Sequence, residues 1–264
     1  MSIKTYFLPL ISACLLQTAD AQTDTTYYDV FHEKVENRAI ASYYTLTTWR
    51  KNVEIQAEYY LSGVKKSYGM CKKISKIYAD GLQTSNIDSP DSTKVRHGTF
   101  IEWFESGEMK AQSSYVLGKL QGDLNTFYAN QKPKRQDVYY LDTLKNGRCF
   151  DSLGNEIAYF PYQVNPEYKG GQDALYQFLA QNIVYPAAAR NMGKQGTVYI
   201  RFTVDKEGKV KRINTKSKLN EKIDKELIVE SERMVKLMNK WIPGRLDGEI
   251  VNVRYTLPTK FKLE

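Results

Sequence analysis

The chain has 264 residues, 42% of them hydrophobic and 26% charged, a globular balance that excludes an intrinsically disordered chain and allows one or two domains. Net charge is +8 without a run of five or six basic residues, which suits either solubility or attraction to an anionic partner. Only His32 and His97 are present, and there is no His-Glu-x-x-His, Cys-x-x-Cys, Gly-x-Ser-x-Gly or phosphate-loop pattern. The chain is therefore not expected to be an enzyme, to carry a catalytic or metal site, or to need a cofactor. A carboxylate pair assembled from distant positions is the one arrangement that pattern alone leaves open.

Residues 1–21 read as a secretory signal: Lys4 is the positive start, 6–16 the apolar core, and Ala19-Asp20-Ala21 a small-x-small cleavage site before Gln22. The apolar run falls short of the ~20 residues that span a bilayer. Alternatively, Ile11-Ser12-Ala13-Cys14 resembles a bacterial lipobox, which would anchor the chain by lipid at Cys14. Either way the expected location is the periplasm, which argues against a nucleic-acid partner. Cys71 and Cys149 then remain, as a disulfide or as buried thiols.

Residues 22–160 are β-rich and repetitive. Gly98 to Gly122, Trp103 to Phe127, Phe104 to Tyr128 and Tyr115 to Tyr139 are each separated by 24 positions. A partial copy ends at Tyr159-Phe160, and an earlier one surrounds Tyr59-Tyr60, with an inserted loop at 80–96 between. Paired aromatics followed by a Gly or Asn turn predict hairpins stacked into an antiparallel β-meander. The pattern resembles MORN-like repeats, which would make the region a scaffold or a docking surface for protein, envelope glycan or lipid. Residues 161–167, with Pro161 and Pro166, have the composition of a short linker.

Residues 168–264 change character. Leu175, Phe178 and Leu179 share one helix face after Gly170-Gly171, and Pro186 opens a second helix that Gly193 stops. Val198, Ile200, Phe202 and Val204 alternate as a strand with one buried face, a turn follows at 205–208, and 210–215 returns as a charged edge. A long amphipathic helix is expected over 220–239, with Ile223, Leu227, Met234 and Met238 on one stripe that Trp241 continues. A last strand should carry Val251, Val253, Tyr255 and Leu257 on one face, at a sheet edge because Pro258 cannot donate to a ladder. The fold class is α+β: an N-terminal antiparallel meander, then an antiparallel sheet with helices packed on one face.

Taken in order, Gly-Gly-x-x-Ala-Leu-x-x-Phe-Leu at 170–179, Tyr-Pro-x-x-Ala-Arg at 185–190, the Gly-x-Val-x-x-x-Phe-x-Val-x-x-x-Gly hairpin at 196–208, Trp-Ile-Pro-Gly at 241–244 and Val-x-Val-x-Tyr-x-Leu-Pro at 251–258 resemble the TonB C-terminal domain, in the version common in Bacteroidetes. The resemblance covers about the last hundred residues. It implies a TonB-dependent outer-membrane receptor as partner, whose extended peptide adds as a strand beside the last strand of the domain. Carried onto this chain, the acceptor is Val251, Asn252, Val253, Arg254, Tyr255, Thr256 and Leu257, with Asn182, Ile183 and Val184 as the neighbouring contact. A full transducer carries an N-terminal membrane helix and a Pro-rich span; here a leader-like segment and a β-repeat region stand in their place. The implied role is receptor binding without energy transduction.

Overall fold

The computed structural model describes residues 23–50, 53–73, 94–215, 222–238 and 241–263. The leader with Cys14, the part of the inserted loop at 80–93 and the expected start and end of the long helix at 220 and 239 lie outside them.

Twelve strands form one antiparallel sheet: β1 (Thr23–Tyr28), β2 (Lys34–Val35), β3 (Tyr43–Arg50), β4 (Val53–Tyr60), β5 (Lys65–Lys73), β6 (Lys94–Arg96), β7 (Gly98–Trp103), β8 (Met109–Val116), β9 (Lys119–Phe127), β10 (Pro133–Tyr140), β11 (Thr143–Phe150) and β12 (Glu156–Ile157). From β3 to β12 the order is a meander, with β6 beside β5. The 24-residue spacing has a structural cause in two alternating turns. At one end, the N–H groups of Tyr60, Phe104, Tyr128 and Asp151 each donate to the carbonyl four residues on, and the residue three on donates back. That returning residue is Gly63, Gly107, Gln131 or Gly154, all left-handed, which is why glycine recurs there. At the other end, Leu117-Gly118 and Leu141-Asp142 have both central φ angles positive, the turn whose twist matches the strands it joins.

One face of this sheet carries the buried side chains, among them Ala111, Leu124, Thr126, Arg135, Asp137 and Cys149. Gly69 lies under the ring of Phe100, where a Cβ would sit 2.1 Å from it. Cys71 on β5 and Cys149 on β11 are both free thiols, with β7, β8, β9 and β10 between their strands. Neighbouring strands lie about 4.8 Å apart, so five steps put the two about 24 Å apart, far beyond the roughly 7 Å between Cα atoms that a disulfide tolerates. The disulfide alternative is thereby closed.

The rest of the chain builds β13 (Gln163–Val164), β14 (Glu167–Tyr168), α1 (Gly171–Asn182), α2 (Ala187–Asn191), β15 (Gly196–Val204), β16 (Val210–Asn214), α3 (Lys225–Lys236), β17 (Trp241–Ile242), β18 (Arg245–Leu246), β19 (Glu249–Ile250) and β20 (Val253–Phe261). With its antiparallel sheets and three α-helices among the described residues, the chain is α+β. The residues expected to link the two parts are themselves paired: β13 with β18, and β14 with β17.

Val198, Ile200, Phe202 and Val204 all point into the core, where they meet Leu227, Met234, Val235, Met238, Trp241, Leu257 and Phe261. Each such side chain contributes about 1.5–3 kcal/mol of transfer free energy. Helix α3 is shorter than its periodicity predicts because Asp224 caps it, its carboxylate accepting from the Glu226 N–H at 2.9 Å. The Trp-Ile-Pro-Gly corner fits closely. A Cβ on Gly208 would lie 2.2 Å from the Trp241 carbonyl, and one on Gly244 would lie 2.5 Å from Val253 Cγ2. These glycines let the β15–β16 turn and the start of β20 close over the corner.

Candidate functional site

The core sheet of the C-terminal part has the order β16-β15-β20 and so has two edges. They differ in kind. The β16 edge is interrupted by a register shift between Arg201 and Thr203, and its Arg212 is left-handed with φ 51°. It also carries Lys211 beside Arg212, whose Nη2 pairs with Asp29 Oδ2 at 2.6 Å and whose guanidinium lies over the Phe31 ring. A bulged, charged and tethered edge resists a further strand. The β20 edge is nine residues long and keeps one register against β15 from Gly196↔Phe261 to Val204↔Val253. Among the described residues nothing pairs with its other side. Pro258, opposite Tyr199, is tolerated because the strand has a neighbour on one side only.

The predicted acceptor residues separate into two groups. Val253, Arg254, Tyr255, Thr256 and Leu257 lie in β20, whereas Val251 and Asn252 precede it. Val251 N–H donates to the Gly244 carbonyl at 3.1 Å, and Asn252 Oδ1 accepts from the Lys206 N–H at 3.2 Å. Both tie the entry of β20 to neighbouring turns. Inside the strand, Leu257 is buried and Tyr255 packs on Trp241 with ring centroids 4.9 Å apart, while Thr256 is exposed. Burial, with Tyr176 nearby, raises the Tyr255 phenol above its ordinary pKa, so it stays neutral and packs as an apolar group.

Asn182, Ile183 and Val184 follow α1. Asn182 Nδ2 donates to the Phe178 carbonyl at 2.8 Å, Ile183 packs on the core, and Val184 is 61% exposed. Tyr185, next in the chain, meets Phe261 edge-on at 5.6 Å. This segment therefore lies toward the C-terminal end of β20, and Val251 and Asn252 lie before its N-terminal end.

Glu230 on α3 holds the segment in place. Its Oε1 accepts from the Val184 N–H at 2.7 Å, and both carboxylate oxygens accept from Arg233, which also donates to the Asn182 carbonyl. Hydrogen bonds from Arg233, working against burial and aided by Val184, hold this carboxyl below the usual carboxylate range. Its stabilisation is thus fully present above the ordinary carboxylate pKa and is lost as pH falls through the lowered value. Glu230→Gln should flatten the acid limb of the stability curve and lower stability at neutral pH by about 1 kcal/mol, discounted because Arg233 is half exposed. Urea titrations of both proteins between pH 3 and 7, values chosen as ~1 unit below to well above the ordinary carboxylate pKa, would show parallel curves if the contact contributed nothing.

Two groups of contacts that the local pattern does not announce tie this domain to the large sheet. Arg254 Nη2 donates to Glu33 Oε1 at 3.0 Å and to the His32 carbonyl at 3.2 Å. Glu33, Arg201, Arg212 and Arg254 line a small cleft of about 50 Å³ there, room for water but not for a peptide. On the other side, the Asp247 turn between β18 and β19 enters the large sheet. Asp247 Oδ1 accepts from Arg135 Nε and Oδ2 from Thr126 Oγ1, both at 2.8 Å, while the Asp247 N–H donates to the Tyr162 carbonyl. In the sequence Asp247-Gly248 signals a turn and nothing more.

Residues 181–263 match the family described as Gram-negative bacterial TonB protein C-terminal. The match spans β15, the α3 helix, the Trp-Ile-Pro-Gly corner and β20, and supports a TonB C-terminal domain at the end of this chain. It covers about a third of the chain and leaves the large sheet outside. No curated protein and no solved structure matches the chain. The TonB C-terminal domain associates the chain with TonB-dependent transport and, in general terms, with outer-membrane receptors at the cell envelope. No helix among the described residues is long and apolar enough to cross a membrane.

Proposed function

We propose that the TonB C-terminal domain takes up an extended peptide from a TonB-dependent outer-membrane receptor as an added strand along β20. The observation that carries this reading is the contrast between edges: β16 is bulged, charged and tethered, whereas β20 keeps one register over nine residues and, among the described residues, pairs as a strand with β15 alone. Backbone groups on the open side supply affinity, and the exposed side chains of Thr256 and Lys260 lie beside the incoming chain. Reading residues 1–21 as a leader places the protein in the periplasm, free or tethered at Cys14. It acts there as a binding module without catalysis and without a motor of its own. The large sheet, in its MORN-like reading, is the platform that presents the domain.

Calorimetric titration of the full chain with synthetic peptides tests this. The peptides span the periplasm-facing N-terminal segments of the outer-membrane receptors from the same cell. One-to-one binding of at least one peptide is the expected result; no heat and no saturation with any of them would remove the reading.

A further inference from the structure

The network around Arg135 is unusual for a contact between two parts of one chain. The side chain is fully buried, and its donors diverge to three acceptors: Nε to Asp247, Nη1 to Asp137 and Nη2 to the Phe160 carbonyl, each at 2.8 Å. The rings of Phe160, Tyr159 and Tyr162 lie 4.7, 5.3 and 5.6 Å from its guanidinium carbon. Burial opposes its charge, and the hydrogen bonds to Asp247 and Asp137 more than restore it, so the guanidinium holds its proton more firmly than usual. Apolar side chains of the same volume would join two surfaces with less desolvation; what three hydrogen bonds in fixed directions from one guanidinium add is a favoured register, even though Asp137 Oδ1 is left without a partner.

That register is transmitted to the acceptor strand. Asp247 sits at the tip of the β18–β19 hairpin, with Gly248 against the Phe160 ring, and only Val251 and Asn252 separate the hairpin from β20. Val251 is tied back to Gly244, and Val253 packs on the same glycine. Just beyond, Arg254 is held by Glu33 and the His32 carbonyl from the β1–β2 turn. The entry of β20 is thus gripped from β9 and β10 on one side and from the β1–β2 turn on the other, in opposite halves of the strand order.

The geometry points to Arg135, Asp247 and Glu33 as positioning residues through which the large sheet sets the open end of β20 for strand capture. They act on the peptide without touching it. This rests on the strand-addition reading for its functional consequence, but its structural half stands apart from any peptide.

The test is hydrogen exchange on the full chain, comparing the wild type with Asp247→Asn and, separately, Glu33→Gln. Each variant should speed exchange at residues 251–255 about tenfold while β15 exchanges as in the wild type. Each should also weaken the best receptor peptide by about tenfold, the scale of coupling carried by residues remote from the ligand. A variant that only loosened the fold would speed β15 and β20 alike; that outcome, or unchanged exchange at 251–255 in both variants, overturns the proposal. If no peptide binds the wild type, the strand-addition reading fails, and the exchange pattern still decides whether the large sheet positions β20.

Discussion

Arg135→Met should lower the stability of the chain by about 3–5 kcal/mol, measured by urea denaturation at neutral pH. Methionine fills similar space, so the loss isolates the charge rather than a cavity. Asp137, equally buried, would keep only the hydroxyls of Tyr139 and Tyr159 at 3.3 and 3.2 Å, and its Oδ1 already has no hydrogen-bond partner. Asp247 would keep Thr126 and a longer contact with Lys134 at 3.5 Å. A buried carboxylate stripped of its cation carries its full desolvation penalty, which exceeds the net value of the pair itself. Arg135→Lys retains the charge but cannot donate in three fixed directions, and should fall between wild type and Met. A change below about 1 kcal/mol in Arg135→Met, the range of surface ion pairs, would mean that water reaches this network.

Thr256→Pro should leave the fold intact and weaken receptor-peptide binding by about ten- to a hundredfold, the effect of a lost hydrogen bond plus a stranded acceptor on the peptide. In an antiparallel ladder each residue turns its N–H and C=O toward one neighbour, and successive residues alternate sides. Pro258 has no N–H, yet the register with β15 runs unbroken through it, which its nitrogen allows by facing the open side. Thr256 is two residues away and shares that side. Proline there removes a donor offered to the peptide and none offered to β15. Val253→Pro falls on the opposite parity, next to Gly244, and would loosen the strand itself. Unchanged peptide affinity in a folded Thr256→Pro protein would place the binding surface elsewhere.

Much of the TonB C-terminal domain is legible along the chain because its elements follow local rules. The two-residue period of Val198, Ile200, Phe202 and Val204 and the stripe of Leu227, Met234 and Met238 each point to the core the structure builds. The start of β20 was not legible. Val251 continues the rhythm of Val253 and Tyr255, but the chain is still turning there, held by Gly244 and Lys206 across space. The large sheet announces its period through paired aromatics and glycines, since each turn recurs in the chain. Its grip on the domain is silent in the sequence: Arg135 and Asp247 lie 112 positions apart, and neither stands in a pattern that requires the other. Asp29 and Glu33 likewise stand in no local pattern that calls for Arg212 and Arg254, 183 and 221 positions on.

On the proposed strand-addition reading, β20 and not another edge receives the receptor peptide. Amide exchange of the full chain with and without a saturating receptor peptide separates the edges. New protection confined to the open side of β20, at Arg254, Thr256 and Lys260, is the predicted result. Protection along β16, along β2 or β12 of the large sheet, or at no strand edge would contradict it.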